Sequence, residues 1–231
     1  RTFTLQRVAA TGGVPARGAH ASTDPEEFQA YDSTRINARV EQAVAETRGM
    51  ALAYRGQFPL TWFHAYSGGM TATPQEGLDW NKGPTPYLQR VVDREWDRYI
   101  PAEIRFWTLR VPEERLRAAV RELTGRDPGP ARAVRVVRWT PSGRAAALAV
   151  NGVTVSGNAL RSRLGPETFR STMLREIRVQ PDGSVTFAGK GYGHGVGMSQ
   201  WTARAMAEHG RRAEDIIRTY YTGVSVVKLW D

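Results

Sequence analysis

Apolar positions recur along this chain with two periods, and each predicts a different kind of element. Between Ser33 and Gly49 the residues Ile36, Val40, Val44 and Thr47 share one helical face. A helix is expected there, opened by Ser33 or Thr34 as N-cap and acting as core scaffold. The stretch VPEERLRAAVRELTG (111–125) has the same period, with Pro112 in its first turn and Gly125 past its end, and predicts a second helix. A period of two dominates elsewhere. Residues 50–69 read as two strands around the turn RGQ, closed by Gly68 and Gly69. Residues 131–157 read as strands joined by the turns PSG and NG, the second a strong hairpin signal. A short helix at 158–165 and another hairpin at 173–193 follow, then helices at 199–209 and 212–221 and a terminal strand VSVVKL.

The connections add to this picture. RTFTLQRVAATGG looks like the end of an element, VPARGAHASTDPEEFQAYD like a loop, and RDPGP (126–130) like a join between lobes. Residues 70–97 form a long Pro- and Gly-punctuated stretch carrying Trp80, Tyr87 and Trp96, and such stretches are usually functional or mobile. Helices and hairpins without regular βαβ alternation predict an α+β fold of hairpin-rich sheets and several short helices. Its expected division is 1–125 and 126–231, an arrangement compatible with two lobes around a cleft.

One stretch breaks the pattern. In AGKGYGHGVGMSQWTARAMA the glycines at 189, 191, 193, 195 and 197 take every second position. Read as a strand, it puts Lys190, Tyr192, His194, Val196 and Met198 on one face and leaves the other bare, open to a flat ligand or another backbone. Ser199 then stands at a helix N-cap whose amides favour an anion or polar ligand group. On residues alone His194 is either a satisfied core histidine or a ligand group, and Ser199 and Gln200 are equally well cap and first-turn residues. Nucleotide motifs fail on spacing: Val196 and Met198 stand where the last glycine of G-x-G-x-x-G would fall, and no G-x-x-x-x-G-K-[ST] exists.

Composition narrows the chemistry. The 231 residues are 41% hydrophobic, enough to close a core. The absence of cysteine excludes disulfides and thiolate metal sites but leaves the redox compartment open. The net charge of +9 is carried by arginine, with lysine only at 82, 190 and 228, and implies an anionic partner: nucleic acid, an acidic wall polymer or a membrane surface. Nucleic acid is the least supported and is not expected, because the arginines are dispersed and no RNA-binding signature or zinc-finger spacing occurs. No run approaches the roughly 18 apolar residues of a membrane span. The chain opens at Arg1 without initiator methionine or signal peptide, so an upstream segment is expected.

Three ordered blocks now acquire a meaning together. GYGHGVGMSQWTARAMAEHG followed by IIRTYYTGVSV resembles the C-terminal signature of the SpoIID/LytB family of sporulation and amidase-enhancer proteins. FHAYSGGMTATPQEGLDWNKGPTPYLQRVVDREWD is similar to that family's S-x-G-G-x-T and P-Y-L segments, and AVNGVTVSGNALRSRLG to its hairpin and short helix. The resemblance covers nearly the whole chain. It implies work on bacterial peptidoglycan outside the cytoplasmic membrane, secreted or envelope-associated. The implied activity is a lytic transglycosylase cutting glycan, preferably already stripped of stem peptides; no cofactor or metal is expected. That chemistry uses one glutamic acid of raised pKa, whereas a water-using hydrolase needs two opposed carboxylates. The family's glutamate lies in an E-M-P type segment ahead of a helix that RTFTLQ resembles the sequel to, so it is expected upstream of Arg1, and no catalytic residue is expected within the chain. Glu76 and Asp79 match a different segment.

The substrate contacts that the resemblance implies are His194, Ser199, Gln200, Tyr192, Ser67, Gly68, Gly69, Thr71, Trp80 and Tyr87. Several have structural readings too: Gly68-Gly69 as an unusual turn, Trp80 and Tyr87 as core aromatics. Trp201 reads as core, as do Tyr220 and Tyr221. His64 lies where some relatives carry a zinc ligand assisted by cysteines, and without cysteine it reads as structural. Three functions compete: the greater part of a peptidoglycan lytic transglycosylase, a non-enzymatic amidase enhancer binding wall glycan or a partner amidase, and, distantly, a basic nucleic-acid-binding module.

Overall fold

The computed structural model describes residues 1–24, 28–29 and 31–231; the loop expected over 14–32 therefore lies partly outside the described residues. The chain forms two compact units, one of residues 1–62 and 223–231 and the other of residues 63–222. The join expected at 126–130 falls inside the second.

The first unit begins with helices α1 (Thr2–Thr11) and α2 (Ala38–Glu46), followed by strand β1 (Met50–Ala53). Asn37, rather than Ser33 or Thr34, caps α2: its side chain accepts from the N–H groups of Arg39 and Val40, which a helix start leaves without intrahelical partners. Ser33 and Thr34 instead belong to a 3-10 turn capped by Asp32. The expectation that this helix is core scaffold is also corrected, since Ile36, Val40 and Val44 are exposed at 44%, 43% and 57%. Ile36 lies ahead of the helix, and α2 buries none of its own residues. The two strands expected over 50–69 reduce to β1 and a two-residue strand further on. Arg55 and Gly56, both at positive φ, close a tight turn bridging Tyr54 to Gln57, after which the chain is irregular.

The second unit carries strand β2 (Phe63–His64), helix α3 (Pro74–Leu78), a 3-10 turn Arg94–Tyr99, helix α4 (Ala102–Arg105), strand β3 (Phe106–Val111) and helix α5 (Glu113–Thr124). Strands β4 (Val134–Trp139), β5 (Ala145–Val150) and β6 (Val153–Ser156) lead into helix α6 (Gly157–Leu164), and then come β7 (Leu174–Val179) and β8 (Val185–Lys190). The unit ends with β9 (Met198–Ser199), α7 (Gln200–Glu208) and α8 (Ala213–Tyr220). One antiparallel sheet has the order β4-β5-β6, another β3-β8-β7, and β2 pairs in parallel with β9. The fold is α+β, as expected. The NG hairpin turn is present at Asn151 and Gly152, with φ of 46° and 84°.

The core of this unit lies between α5, α6 and the two three-stranded sheets. Val185 and Phe187 alternate inward along β8 and meet Leu116 and Val120 of α5, Leu148 of β5, and Leu160 and Leu164 of α6. Burying each such side chain is worth about 1.5–3 kcal/mol. Strand β10 (Ser225–Lys228) belongs to the first unit, where it pairs antiparallel with β1. There Thr2 Oγ1 accepts the Leu52 N–H at 2.9 Å, attaching α1 to the same ribbon.

Candidate functional site

Between β8 and β9, from Gly191 to Gly197, the glycine-rich stretch is not a strand. Gly191, Gly193, Gly195 and Gly197 all have positive φ, from 72° to 111°, so the chain winds as a succession of tight reversals, and the strand reading is corrected. The bare face is occupied by the protein itself. A methyl group at Gly189 would lie 2.4 Å from the Trp107 ring, one at Gly193 2.6 Å from His64 Cβ, and one at Gly195 2.1 Å from Arg144 Nη2. Alternating glycine here serves close packing of chain on chain.

Residues 63–72 run beside this turn. Tyr66 and Tyr192 exchange both backbone hydrogen bonds, at 2.9 and 2.8 Å, Ala72 N–H donates to Gly195 O at 2.7 Å, and Trp201 N–H to Ala65 O at 2.9 Å. The third block closes in from α6: Asn158 Nδ2 donates to Glu76 O and to Asp79 Oδ1, both at 3.0 Å, and Ser156 Oγ donates to Asp79 Oδ2 at 2.9 Å. Gly77 of α3 rests on the His194 carbonyl, 2.3 Å from where a methyl would sit. All three blocks therefore meet at one turn.

The expected contact residues divide by exposure. Gln200 is exposed, and Tyr192, His194 and Trp80 are partly so; Ser67, Gly68, Gly69, Thr71, Tyr87 and Ser199 are buried. The buried polar ones are satisfied within the protein. Ser67 Oγ donates to Asp93 Oδ1 at 2.6 Å and accepts from Gly69 N–H, while Ser67 N–H donates to Ser199 Oγ at 3.1 Å, which shares a hydrogen bond with Thr202 Oγ1. Thr71 Oγ1 accepts from Val91 N–H at 2.7 Å. Tyr192 donates its hydroxyl to Glu167 and lies under the Arg170 guanidinium, 4.8 Å from its ring centroid. Trp80 is anchored by a 2.9 Å hydrogen bond from its indole N–H to Gly83 O. Trp201, read from sequence as core, is half-buried beneath the Arg204 guanidinium.

The two histidines are fixed in opposite tautomers. His64 Nδ1 must donate to Val196 O at 3.1 Å, whereas His194 Nδ1 must accept from Val196 N–H at 3.0 Å. Their ring centroids lie 5.7 Å apart. His194 also bonds the Phe63 backbone, and His64 Nε2 is buried with no partner among the described residues. Burial, then Arg161 and Arg144, lowers the His194 pKa to about 4, and burial, then His194 and Arg144, holds His64 well below the ordinary imidazole range. Both rings are neutral in the fold, while an unfolded histidine takes its proton near pH 6.5. Their contribution to stability is therefore present above about pH 6.5 and lost as pH falls toward 4, up to about 3 kcal/mol for His194. Urea midpoints of the native chain are expected to fall across that window more steeply than those of His194→Gln, whose amide oxygen can still accept from Val196; equal slopes would remove His194 as the cause.

The carboxylates near the turn are tied. Glu76 Oε2 accepts the Thr73 N–H at the start of α3 and its Oε1 pairs with Arg90 at 2.8 Å. Asp93 is buried, which pushes its carboxyl up despite hydrogen bonds from Ser67 and Tyr220. Among the described residues no group of three or more His, Cys, Asp or Glu side chains is placed to hold a metal ion.

Arg144 escaped the sequence reading. It is 1% exposed, and it donates to Ser67 O at 2.8 Å and Met70 O at 3.0 Å, pinning the Ser-Gly-Gly turn against Gly195. Burial lowers its pKa to about 10, so it stays charged at neutral pH. No motif marks it; it is one arginine at the edge of an apolar run.

Fold and site together define an α+β protein built around a glycine-rich turn that is braced by paired imidazoles and followed directly by a helix. The chain is 29% identical over 238 residues to a Stage II sporulation protein D of Bacillus amyloliquefaciens, covering 98% of this chain and 65% of that protein. It is 27% identical over 239 residues to the Stage II sporulation protein D of Bacillus subtilis (strain 168), with the same coverage. To the Amidase enhancer of Bacillus subtilis (strain 168) it is 26% identical over 278 residues, covering 98% of this chain and 36% of that protein. The chain thus spans 65% of the length of the two sporulation proteins. No protein-family model matches it. Homologues of these names, at 26–29% identity over nearly the whole chain, support its membership of the SpoIID/LytB family.

Proposed function

We propose that this chain is the glycan-binding body of a peptidoglycan lytic transglycosylase that remodels the bacterial cell wall, in sporulation or vegetative growth, outside the cytoplasmic membrane. The observation that carries the reading is the convergence of the three resembling blocks on one turn. In this reading Gln200, Tyr192, Trp80 and the accessible edge of His194 meet the glycan, and the buried Ser67, Gly68, Gly69, Thr71, Tyr87 and Ser199 shape the wall behind them.

The reaction breaks the bond between the anomeric carbon of N-acetylmuramic acid and the glycosidic oxygen. A carboxylic acid gives its proton to the departing oxygen, the sugar's own C6 hydroxyl bonds to the anomeric carbon, and the carboxylate takes the hydroxyl proton. No water is consumed, and a 1,6-anhydro end remains. Glu76 and Asp79 are already engaged and the imidazoles are neutral, so the reading assigns the acid to a glutamate outside this chain. A second reading, a non-enzymatic enhancer that binds wall glycan or a partner amidase, is favoured by the absence of an untied carboxylate at the turn among the described residues and by the likeness to the Amidase enhancer. The net charge of +9 suits either reading, by holding the protein near anionic wall polymers.

The test is digestion of denuded glycan strands by this chain and by the longest form its gene encodes, with mass spectrometry for 1,6-anhydro products. Products from the longer form alone are expected. None from either, with glycan binding intact, would move the assignment to the enhancer.

A further inference from the structure

At the far end of α7 from Gln200, about 9 Å along the helix axis at Met206, lies a second concavity. It is a groove of about 440 Å³ between the 3-10 turn Arg94–Tyr99, the end of α7, and α8. Met206 and Ile216, each 6% exposed, are its apolar floor. Trp96 forms a wall, its indole held by Tyr99 and His209 at centroid distances of 5.9 and 5.6 Å. Four charges rim it. Asp215 is paired with Arg212 at 3.4 Å and Arg218 with Glu214 at 3.2 Å. Glu95 and Arg211 make no side-chain hydrogen bond or ion pair among the described residues, and so leave a free acceptor and a free donor facing one groove.

That combination selects its ligand. A wholly apolar molecule would strip water from Glu95 and Arg211 without replacing it. A phosphate would meet the carboxylates of Glu95 and Asp215, and a cation would meet Arg211. A pyranose has an apolar face for the indole and hydroxyls that both donate and accept, and an N-acetyl methyl suits the Met206–Ile216 floor. We propose that this groove is a second saccharide subsite, holding an N-acetylated pyranose of the glycan strand at a place separate from the glycine-rich turn. The proposal rests on the glycan reading above.

The experiment is titration of the full chain, labelled with 15N at its indoles, with tri-N-acetylchitotriose, the Trp96 signal being assigned from Trp96→Phe. The Trp96 signal is expected to move, and Glu95→Gln and Arg211→Met are each expected to raise the dissociation constant read there about 5- to 10-fold. Those two exposed side chains have no other hydrogen-bond or ion-pair partner among the described residues, so both variants should fold as the parent does. Movement of Trp80 or Trp201 with Trp96 silent overturns the subsite and leaves the glycan reading standing. Movement of Trp96 with unchanged affinity in both variants overturns the proposed contacts. Silence of every indole overturns the subsite, and the digestion experiment then decides the glycan reading by itself.

Discussion

Replacement of Arg144 by alanine is expected to lower the unfolding free energy by about 3 kcal/mol, although it removes a charge that burial penalises. The lowering of its pKa to about 10 puts the penalty at roughly 3 kcal/mol. Against it stand two hydrogen bonds from a charged donor, to Ser67 O and Met70 O, worth about 1.5–3 kcal/mol each. Truncation adds a cavity where a long side chain was fully buried, for about another 2–3 kcal/mol. The sum favours the native arginine. Arg144→Lys should recover only part of the loss, because one ammonium on a flexible stem does not reproduce a planar fork that reaches both carbonyls. Urea unfolding of the three proteins measures this, and an alanine variant within 1 kcal/mol of the parent would show that the pin is dispensable.

The second large effect is expected at the residue on which Arg144 lies. Gly195 has a φ of 83°, where a residue with a side chain is strained by roughly 1–2 kcal/mol. Its new methyl would stand 2.1 Å from Nη2 and 2.4 Å from Cζ of a guanidinium that cannot swing aside without leaving both carbonyls. Gly195→Ala is therefore expected to cost about 4 kcal/mol in the native background but only the backbone part where Arg144 is already alanine. The double-mutant cycle should give a coupling of about 2–3 kcal/mol. Strict additivity would mean that the methyl is accommodated elsewhere and that the contact is slack.

These two residues also mark where sequence reading stops. The hairpins, α5 and the helices after the turn were legible because their ends are written in local chemistry: Asn151-Gly152 at positive φ, Pro112 at one helix end and left-handed Gly125 at the other. Arg144 was not legible because its partners are backbone carbonyls 74 and 77 residues away, and a carbonyl carries no residue identity. The glycine alternation was misread because a period of two arises either from a pleat or from a chain that reverses its φ at every second residue. The φ reversals press Gly193 on His64 and Gly195 on Arg144, while Gly189, still within the pleat of β8, lies against Trp107. In α2 the periodicity marked a helix through Val40 and Val44 but carried it too far back, to Ile36, and it does not say whether anything meets that face. For the site, the resembling blocks named the residues that assemble; which of them reach solvent was settled by packing, and that put Ser67 and Ser199 inside and Gln200 outside.

The two imidazoles beside Val196 have a consequence for whatever the turn meets. Gly195 and Gly197 border the peptide groups on either side of Val196, and glycine by itself would let both rotate. Rotating the first would bring a carbonyl against the bare Nδ1 of His194, and rotating the second would bring an N–H against the Nδ1 proton of His64. Either rotation would forfeit a hydrogen bond unless a proton moved on the ring. A segment whose composition suggests slackness is thus preorganised, and a ligand approaching it incurs little of the conformational entropy cost that an unbraced glycine loop would impose on binding.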